Sequence, residues 1–120
     1  MSLVADLMVL IVALLHTCFL VLEMFLWDKP TGLKIFGNTK EEASATKVLA
    51  SNQGLYNGFI AAGLLVGVLQ GSAGYDFKIF FLLCVVVAGI YGALTASRKI
   101  LFVQAIPGIV GFLLVFISNL

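Results

Sequence analysis

Apolar residues fill four long stretches of this chain, and polar residues interrupt those stretches mainly at one end. The stretches cover about residues 3–27, 48–70, 77–97 and 100–119, with a polar connection at 28–47. Each is close to the roughly 20 apolar residues that a helix needs to cross a hydrocarbon core about 30 Å thick. The pattern predicts an all-α protein, an integral membrane four-helix bundle that forms a single domain over residues 1–120.

Local signals mark where the helices begin and end. The first span ends at residues 27–30, where a tryptophan, two charges and a helix-stopping proline follow one another. Thr39 and Glu42 have the spacing of a capping box, so the second helix is expected to begin just after Thr39, outside the bilayer. Pro107 removes one backbone donor from the fourth span and predicts a kink there.

The basic residues predict the orientation of the spans. Those in the first and third connections are Lys29, Lys34, Lys40, Lys47, Arg98 and Lys99, whereas Lys78 alone lies near the opposite side. Connections rich in lysine and arginine stay in the cytoplasm. Both basic connections are therefore expected to be cytoplasmic and both termini extracellular, in a multi-pass protein of the cell membrane.

Composition supports lipid as the solvent and excludes several classes of site. Hydrophobic residues make up 62% of the chain and charged residues 11%, so the lipid bilayer is the expected partner. A net charge of +1 gives no reason to expect nucleic acid. Cys18 and Cys84 have no CxxC partner and are expected to be buried thiols. No cofactor is expected, and no metal, since His16 and Glu23 lie too far apart on one helix to ligate a single ion.

Polar residues from all four spans converge at one depth. At about 1.5 Å of rise per residue, Glu23 lies about 7 Å from the cytoplasmic boundary and His16 about 18 Å from it. The candidate polar residues of the other three spans fall within about 15 Å of the same boundary, and the extracellular half offers only Asp6 and Gln70 near its interface. These residues predict an interior ligand pocket that opens toward the cytoplasm. The ligand-binding candidates are His16, Glu23, Asn52, Gln53, Tyr56, Asn57, Tyr91, Thr95 and Gln104.

Glu23 is the strongest candidate, because a carboxylate inside a membrane costs roughly 2.5 kcal/mol or more unless it is paired or protonated. His16 is either a second functional group or a neutral packing residue. Alternatively, the amides only form hydrogen bonds that hold neighbouring helices together.

Small residues at four-residue spacing, in the sets Gly54-Gly58-Ala62 and Gly63-Gly67-Gly71, predict close packing on two faces of the second helix. A homodimer through a spare glycine face is compatible with this pattern.

Three strings of the sequence resemble a known family. They are LASNQGLYNGFIAAGLL at residues 49–65, CVVVAGIYGALT at 84–95 and QAIPGIVGFLL at 104–114. Together with His16 and Glu23 they look like the small membrane proteins grouped as Domain of Unknown Function 1304. The resemblance implies a four-helix membrane topology and brings no activity with it.

Three functions are compatible with these residues. The first is binding or transport of a small amphipathic or cationic molecule, with Glu23 as the countercharge. The alternative is a membrane-embedded enzyme that acts on a lipid-like substrate, with His16 and Glu23 as candidate acid–base residues and the amides and tyrosines orienting the polar head. The third is a structural protein whose polar residues only hold the bundle together. The sequence shows no nucleophile elbow, phosphate loop or dinucleotide fingerprint.

Overall fold

The computed structural model describes residues 2–120, and nearly all of them are helical. The helices are α1 (Leu3–Met24), α2 (Pro30–Phe36), α3 (Lys40–Leu69), α4 (Tyr75–Thr95) and α5 (Ile106–Ser118). A 3₁₀ turn, Gly71–Gly74, connects α3 to α4, and a π-helical segment, Leu101–Ala105, precedes α5. No strand occurs within residues 2–120, so the predicted all-α class is confirmed for this part of the chain.

Three helical segments of the described chain are long and apolar enough to cross a membrane. They are Leu3–Met24, Gly71–Thr95 and Leu101–Ser118. α3 has 30 residues and is not among them, because Lys47 and the amides at 52, 53 and 57 make its first half polar. The fold is thus all-helical with three membrane-type helices and one long helix of mixed character.

The chain packs as two compact units. The first comprises the chain up to Leu15 together with Ile60–Leu120, and the second is His16–Phe59. Small aliphatic side chains at helical spacing form the core of the first unit: Ala5, Val9, Val12, Ala13, Ala61, Leu64, Leu82, Val85 and Val115. Residue 1, where the predicted domain begins, lies outside the described residues, and the single-domain assignment stays a prediction.

The structure adds a helix that the sequence analysis did not predict. Pro30 follows the end of α1, as expected, but it is also the first residue of α2. Proline suits that position because the first helical N–H needs no partner within the helix. Gly37 ends α2 with a left-handed φ of 69° and donates its N–H to the carbonyl of Leu33. The connection 28–47 is therefore not a continuous loop: it contains the 7 residues of α2, about two turns of helix, and the first residues of α3, which begins at Lys40.

The predicted capping box at the start of α3 is confirmed. The backbone N–H of Glu42 donates to Thr39 Oγ1 at 3.2 Å, and the backbone N–H of Thr39 donates to Glu42 Oε1 at 3.0 Å. The second of these bonds holds the pKa of Glu42 below its ordinary value. Because the folded pKa is depressed, this contribution to stability is present above the unfolded pKa and is lost as the pH falls through the folded one.

Thr39→Ala is expected to destabilise the first turn of α3 by about 1 kcal/mol, since a capping hydroxyl that satisfies an orphan N–H is removed. Hydrogen exchange of the amides of residues 40–43 measures the effect. Ser44→Ala is the matched control, because Ser44 is an exposed hydroxyl of the same helix without a hydrogen bond to any described residue. Equal exchange rates in the two variants would contradict the capping role.

Close backbone approaches hold the helices of the first unit together. A Cβ placed on Gly67 would lie 2.7 Å from Lys78 Cγ, and one placed on Gly89 would lie 2.6 Å from the backbone nitrogen of Ala105. α4 therefore packs directly against α3 at one end and against the π-helical segment at the other. In that segment the N–H of Ile106 bonds to the carbonyl of Leu101, a widened turn placed immediately before Pro107, which has no N–H to donate.

Candidate functional site

Glu23 lies in the last turn of α1 and is only 4% exposed. Its Oε2 accepts a hydrogen bond from Gln53 Nε2 and its Oε1 accepts one from Asn57 Nδ2, each at 2.5 Å. Gln53 and Asn57 are four residues apart on α3, so they project from the same face of that helix. The structure thus brings three of the predicted site residues together as a carboxylate held by two amides, which we call the carboxylate–amide cluster.

Two glycines of α3 allow α1 to approach this cluster closely. A Cβ on Gly54 would lie 2.7 Å from Met24 Cγ and 3.1 Å from Glu23 Cβ. One on Gly58 would lie 2.6 Å from Leu20 Cδ1. The predicted small-residue spacing therefore serves to bring the two helices within reach of short amide side chains.

The cluster contains a carboxylate without a nearby cation. The ion pairs found among residues 2–120 are Lys47–Asp28 and Lys78–Asp6. Among these residues the partners of the Glu23 carboxylate are the two neutral amides. Amide hydrogen bonds stabilise a carboxylate only in part when it is removed from water. The cluster is therefore able to accept a positive charge, as a cationic group or as a proton.

Two further candidates from α3, Asn52 and Tyr56, are exposed and are not bonded to Glu23. Asn52 Nδ2 donates to the carbonyl of Val48 in its own helix, at 2.9 Å. The Tyr56 side chain is 58% exposed, and its ring lies 6.1 Å from that of Phe59. Their contact with a ligand stays a prediction.

His16 is fully buried, and its ring packs edge-on against Phe19 at 5.2 Å between centroids. It lies two turns before Glu23 on α1, about 10 Å along the axis. Glu23 is hydrogen-bonded to Gln53 and Asn57 rather than to His16, so a joint acid–base role of His16 and Glu23 stays a prediction.

The remaining candidates, Tyr91, Thr95 and Gln104, belong to the other compact unit. Tyr91 is 69% exposed and lines a shallow apolar groove of about 500 Å³ along α4. Thr95 Oγ1 donates to the carbonyl of Tyr91 at 2.7 Å, and Gln104 is half-buried within the π-helical segment. A role for these three residues in ligand binding stays a prediction.

The structure also shows a buried ion pair that the sequence analysis did not anticipate. Lys78 is fully buried, and its Nζ lies 2.9 Å from Asp6 Oδ1. Asp6 is near the beginning of α1 and Lys78 is near the beginning of α4. One signal could have identified the pair: in the predicted topology, Asp6 near the start of the first span and Lys78 near the start of the third lie on the same side of the membrane.

A second set of contacts lies where the chain passes from the end of α1 through α2 to the start of α3. Trp27 Nε1 donates to Thr46 Oγ1 at 3.1 Å, and the Trp27 ring lies 4.8 Å from the ring of Phe36. Lys47 Nζ lies 3.0 Å from Asp28 Oδ2, and this hydrogen bond lowers the pKa of Asp28. These contacts tie α2 and the start of α3 to the residues that follow α1.

Within residues 2–120, no three His, Cys, Asp or Glu side chains are grouped to hold a metal ion.

Comparisons with known proteins identify the family to which this chain belongs. A family model described as protein of unknown function (DUF1304) matches residues 10–116. The "Uncharacterized protein YpaA" of Lactococcus lactis subsp. lactis (strain IL1403) is 32% identical over 106 residues, which cover 87% of this chain and 89% of that protein. No solved structure matches the chain significantly. The match over nearly the whole length shows that the chain belongs to the DUF1304 family.

Proposed function

We propose that this chain is a four-span membrane protein that binds a small amphipathic cation at Glu23 and transports it across the cell membrane. The observation that carries the proposal is the carboxylate–amide cluster: an acid that is 4% exposed and forms no ion pair with any cationic side chain of residues 2–120. A carboxylate at this depth costs roughly 2.5 kcal/mol or more when it has no countercharge. A bound cation offsets that cost, which gives the site an intrinsic affinity for positive charge.

The contact between Asp6 and Lys78 supports four spans. It places the beginning of α1 beside the beginning of α4. Two helices that start on the same side of a membrane cross it in the same direction. The chain between them must therefore cross back, and α3, about 45 Å long at 1.5 Å per residue, is long enough for a core of about 30 Å.

The charge distribution supports the sidedness. With four spans, the connection that contains α2 and the connection that contains Arg98 and Lys99 lie on one side, and that side carries six of the seven basic residues. The positive-inside rule makes this side cytoplasmic and both termini extracellular. The carboxylate–amide cluster then lies in the half of the membrane next to the cytoplasm.

Binding accounts for Glu23 better than the two alternatives. If residue 23 only held the two helices together, a glutamine would make the same contacts with the amides and would avoid the cost of burying a charge. A purely structural role therefore does not explain why residue 23 is a glutamate. As an acid–base group, Glu23 would need a partner that exchanges protons with it, and its hydrogen-bond partners among residues 2–120 are two neutral amides, which do not exchange protons near neutral pH. A cation can approach the same carboxylate without displacing either amide.

Equilibrium binding in lipid nanodiscs tests the binding step. Octylammonium is expected to bind the wild-type protein more tightly than octanol, which has the same chain and no charge. Glu23→Gln is expected to weaken octylammonium binding at least tenfold, since the amide keeps the helix contact and removes the charge. Gln70→Leu, which removes an exposed amide just beyond α3, is the control and should bind as the wild type does. Unchanged binding in Glu23→Gln would remove the proposal.

Efflux from cells tests the transport step. Cells that produce the wild-type chain are expected to accumulate less dansylcadaverine, a fluorescent primary amine, than cells that produce Glu23→Gln at equal membrane abundance. Equal accumulation, together with tight binding in nanodiscs, would reduce the function to binding alone.

A further inference from the structure

The two amides of the carboxylate–amide cluster have a defined orientation. An ionised carboxylate only accepts hydrogen bonds, so the nitrogens of Gln53 and Asn57 must face Glu23. The carbonyl oxygens of the same two amides are therefore turned away from the carboxylate. Covalent geometry keeps each of these oxygens within about 5 Å of a Glu23 oxygen. The cluster thus combines a negative charge with two adjacent amide oxygens.

These amide oxygens are free to accept hydrogen bonds from a ligand. Neither Gln53 Oε1 nor Asn57 Oδ1 receives a hydrogen bond from any residue that the structure describes. Gln53 is exposed, Asn57 is half-buried and Glu23 is buried. Gln53 is therefore the most accessible member of the cluster and Glu23 the least accessible. The unused acceptors are the remaining lone pairs of the carboxylate and of the two amide oxygens, whereas the unused donors are one N–H of each amide. The site therefore offers more unused acceptors than unused donors.

From this excess of acceptors we infer that the ligand is an amphipathic primary amine, held by several N–H donors, and that quaternary ammonium compounds are poor ligands. A primary ammonium group has three N–H donors and approaches oxygen to about 2.7–2.9 Å. A trimethylammonium group has none, and its methyl groups keep the charge farther from the carboxylate. This inference rests on the proposed function, and it names the chemical class that the same site selects.

The aromatic residues of the second unit are consistent with this selection. Quaternary ammonium groups are recognised by cages of aromatic faces around the charge. Here the groups that contact Glu23 are amides, and the Tyr56 and Phe59 rings lie tilted by 40° along α3 beyond Gln53. Both rings are more than half exposed, so they offer apolar surface along which the tail of an amine can lie. The polar head then lies at the cluster.

Competitive binding in nanodiscs distinguishes the two classes of cation. The probes are octylammonium and octyltrimethylammonium, which are both cations at neutral pH and carry the same chain, and partition into empty nanodiscs is subtracted. The wild-type protein is expected to bind octylammonium at least about tenfold more tightly, as several charge-assisted hydrogen bonds would give. Gln53→Leu is expected to reduce this preference, and Gln70→Leu to leave it unchanged.

Each other outcome overturns a stated part of the account. If the two probes bind equally and Glu23→Gln weakens both, the inference about primary amines fails and the proposed cation binding stands. If neither probe binds the wild-type protein, both fail. Because the comparison between probes uses the wild-type chain, it remains decisive even if Gln53→Leu does not fold; Gln53→Met then provides a second variant of closer shape.

Discussion

Lys78→Met is expected to lower the free energy of unfolding by about 3 kcal/mol, the lower end of the range for breaking a buried ion pair, because the Asp6 side chain that is left unpaired keeps 23% exposure. Lys78 is fully buried and its Nζ lies 2.9 Å from Asp6 Oδ1. The substitution keeps the apolar stem and removes the charge. The Asp6 carboxylate is then left in the protein without a countercharge. Unfolding in mixed detergent micelles measures the loss.

Two further variants separate the ion pair from the packing of the lysine stem. The double variant Asp6→Asn with Lys78→Met removes both charges, and it is expected to recover most of the stability that the single variant loses. Lys99→Met is the control, because Lys99 is exposed and its side chain pairs with no described residue. It should change stability by less than about 0.5 kcal/mol. A Lys78→Met variant as stable as Lys99→Met would show that the pair does not form.

Gly89→Ala is expected to lower the free energy of unfolding by about 2 kcal/mol, because overpacking costs about 3 kcal/mol and the higher helix propensity of alanine returns about 1 kcal/mol. The added Cβ would lie 2.6 Å from the nitrogen and 2.7 Å from the Cα of Ala105. Both atoms belong to the backbone of the π-helical segment and cannot move aside by a change of rotamer. α4 and that segment would have to separate, which weakens the packing of the first unit.

Gly92→Ala is the matched control, less than one turn further along α4. Its Cβ would meet only side-chain atoms of Ile100, at 3.0 Å and 3.1 Å, and these can shift. Alanine also favours the helix by about 1 kcal/mol over glycine. Gly92→Ala is therefore expected to be close to neutral. Equal effects of the two substitutions would contradict the close approach at Ala105.

The carboxylate–amide cluster, which contains three of the nine candidate residues, could be predicted because it depends on regular helical geometry. The rise per residue placed Glu23, Gln53 and Asn57 within the same half of the bilayer, and two of the amides prove to bond to the carboxylate. The capping box could be predicted because Thr39 and Glu42 interact within one turn. Local spacing determines each of these features, so they can be read without knowledge of how the helices are arranged.

Features that depend on contacts between distant segments could not be predicted in the same way. The pairing of Asp6 with Lys78 joins residues 72 apart in sequence, and no helical periodicity relates them. α2 was not predicted because a proline can either stop a helix or occupy its first turn. The structure shows that Pro30 is the first residue of α2. The exposure of Asn52 and Tyr56 depends on which neighbours cover that part of α3, and depth alone does not determine coverage.

The central claim is that the Glu23 carboxylate is the group that binds the cation. Solid-state NMR of protein in lipid bilayers, with ¹³C at the carboxyl carbon of Glu23, observes this group directly. Titration with octylammonium is expected to shift the Glu23 carboxyl resonance saturably, whereas octanol leaves it in place. A Glu23 resonance that stays unchanged while octylammonium binds elsewhere would contradict the claim.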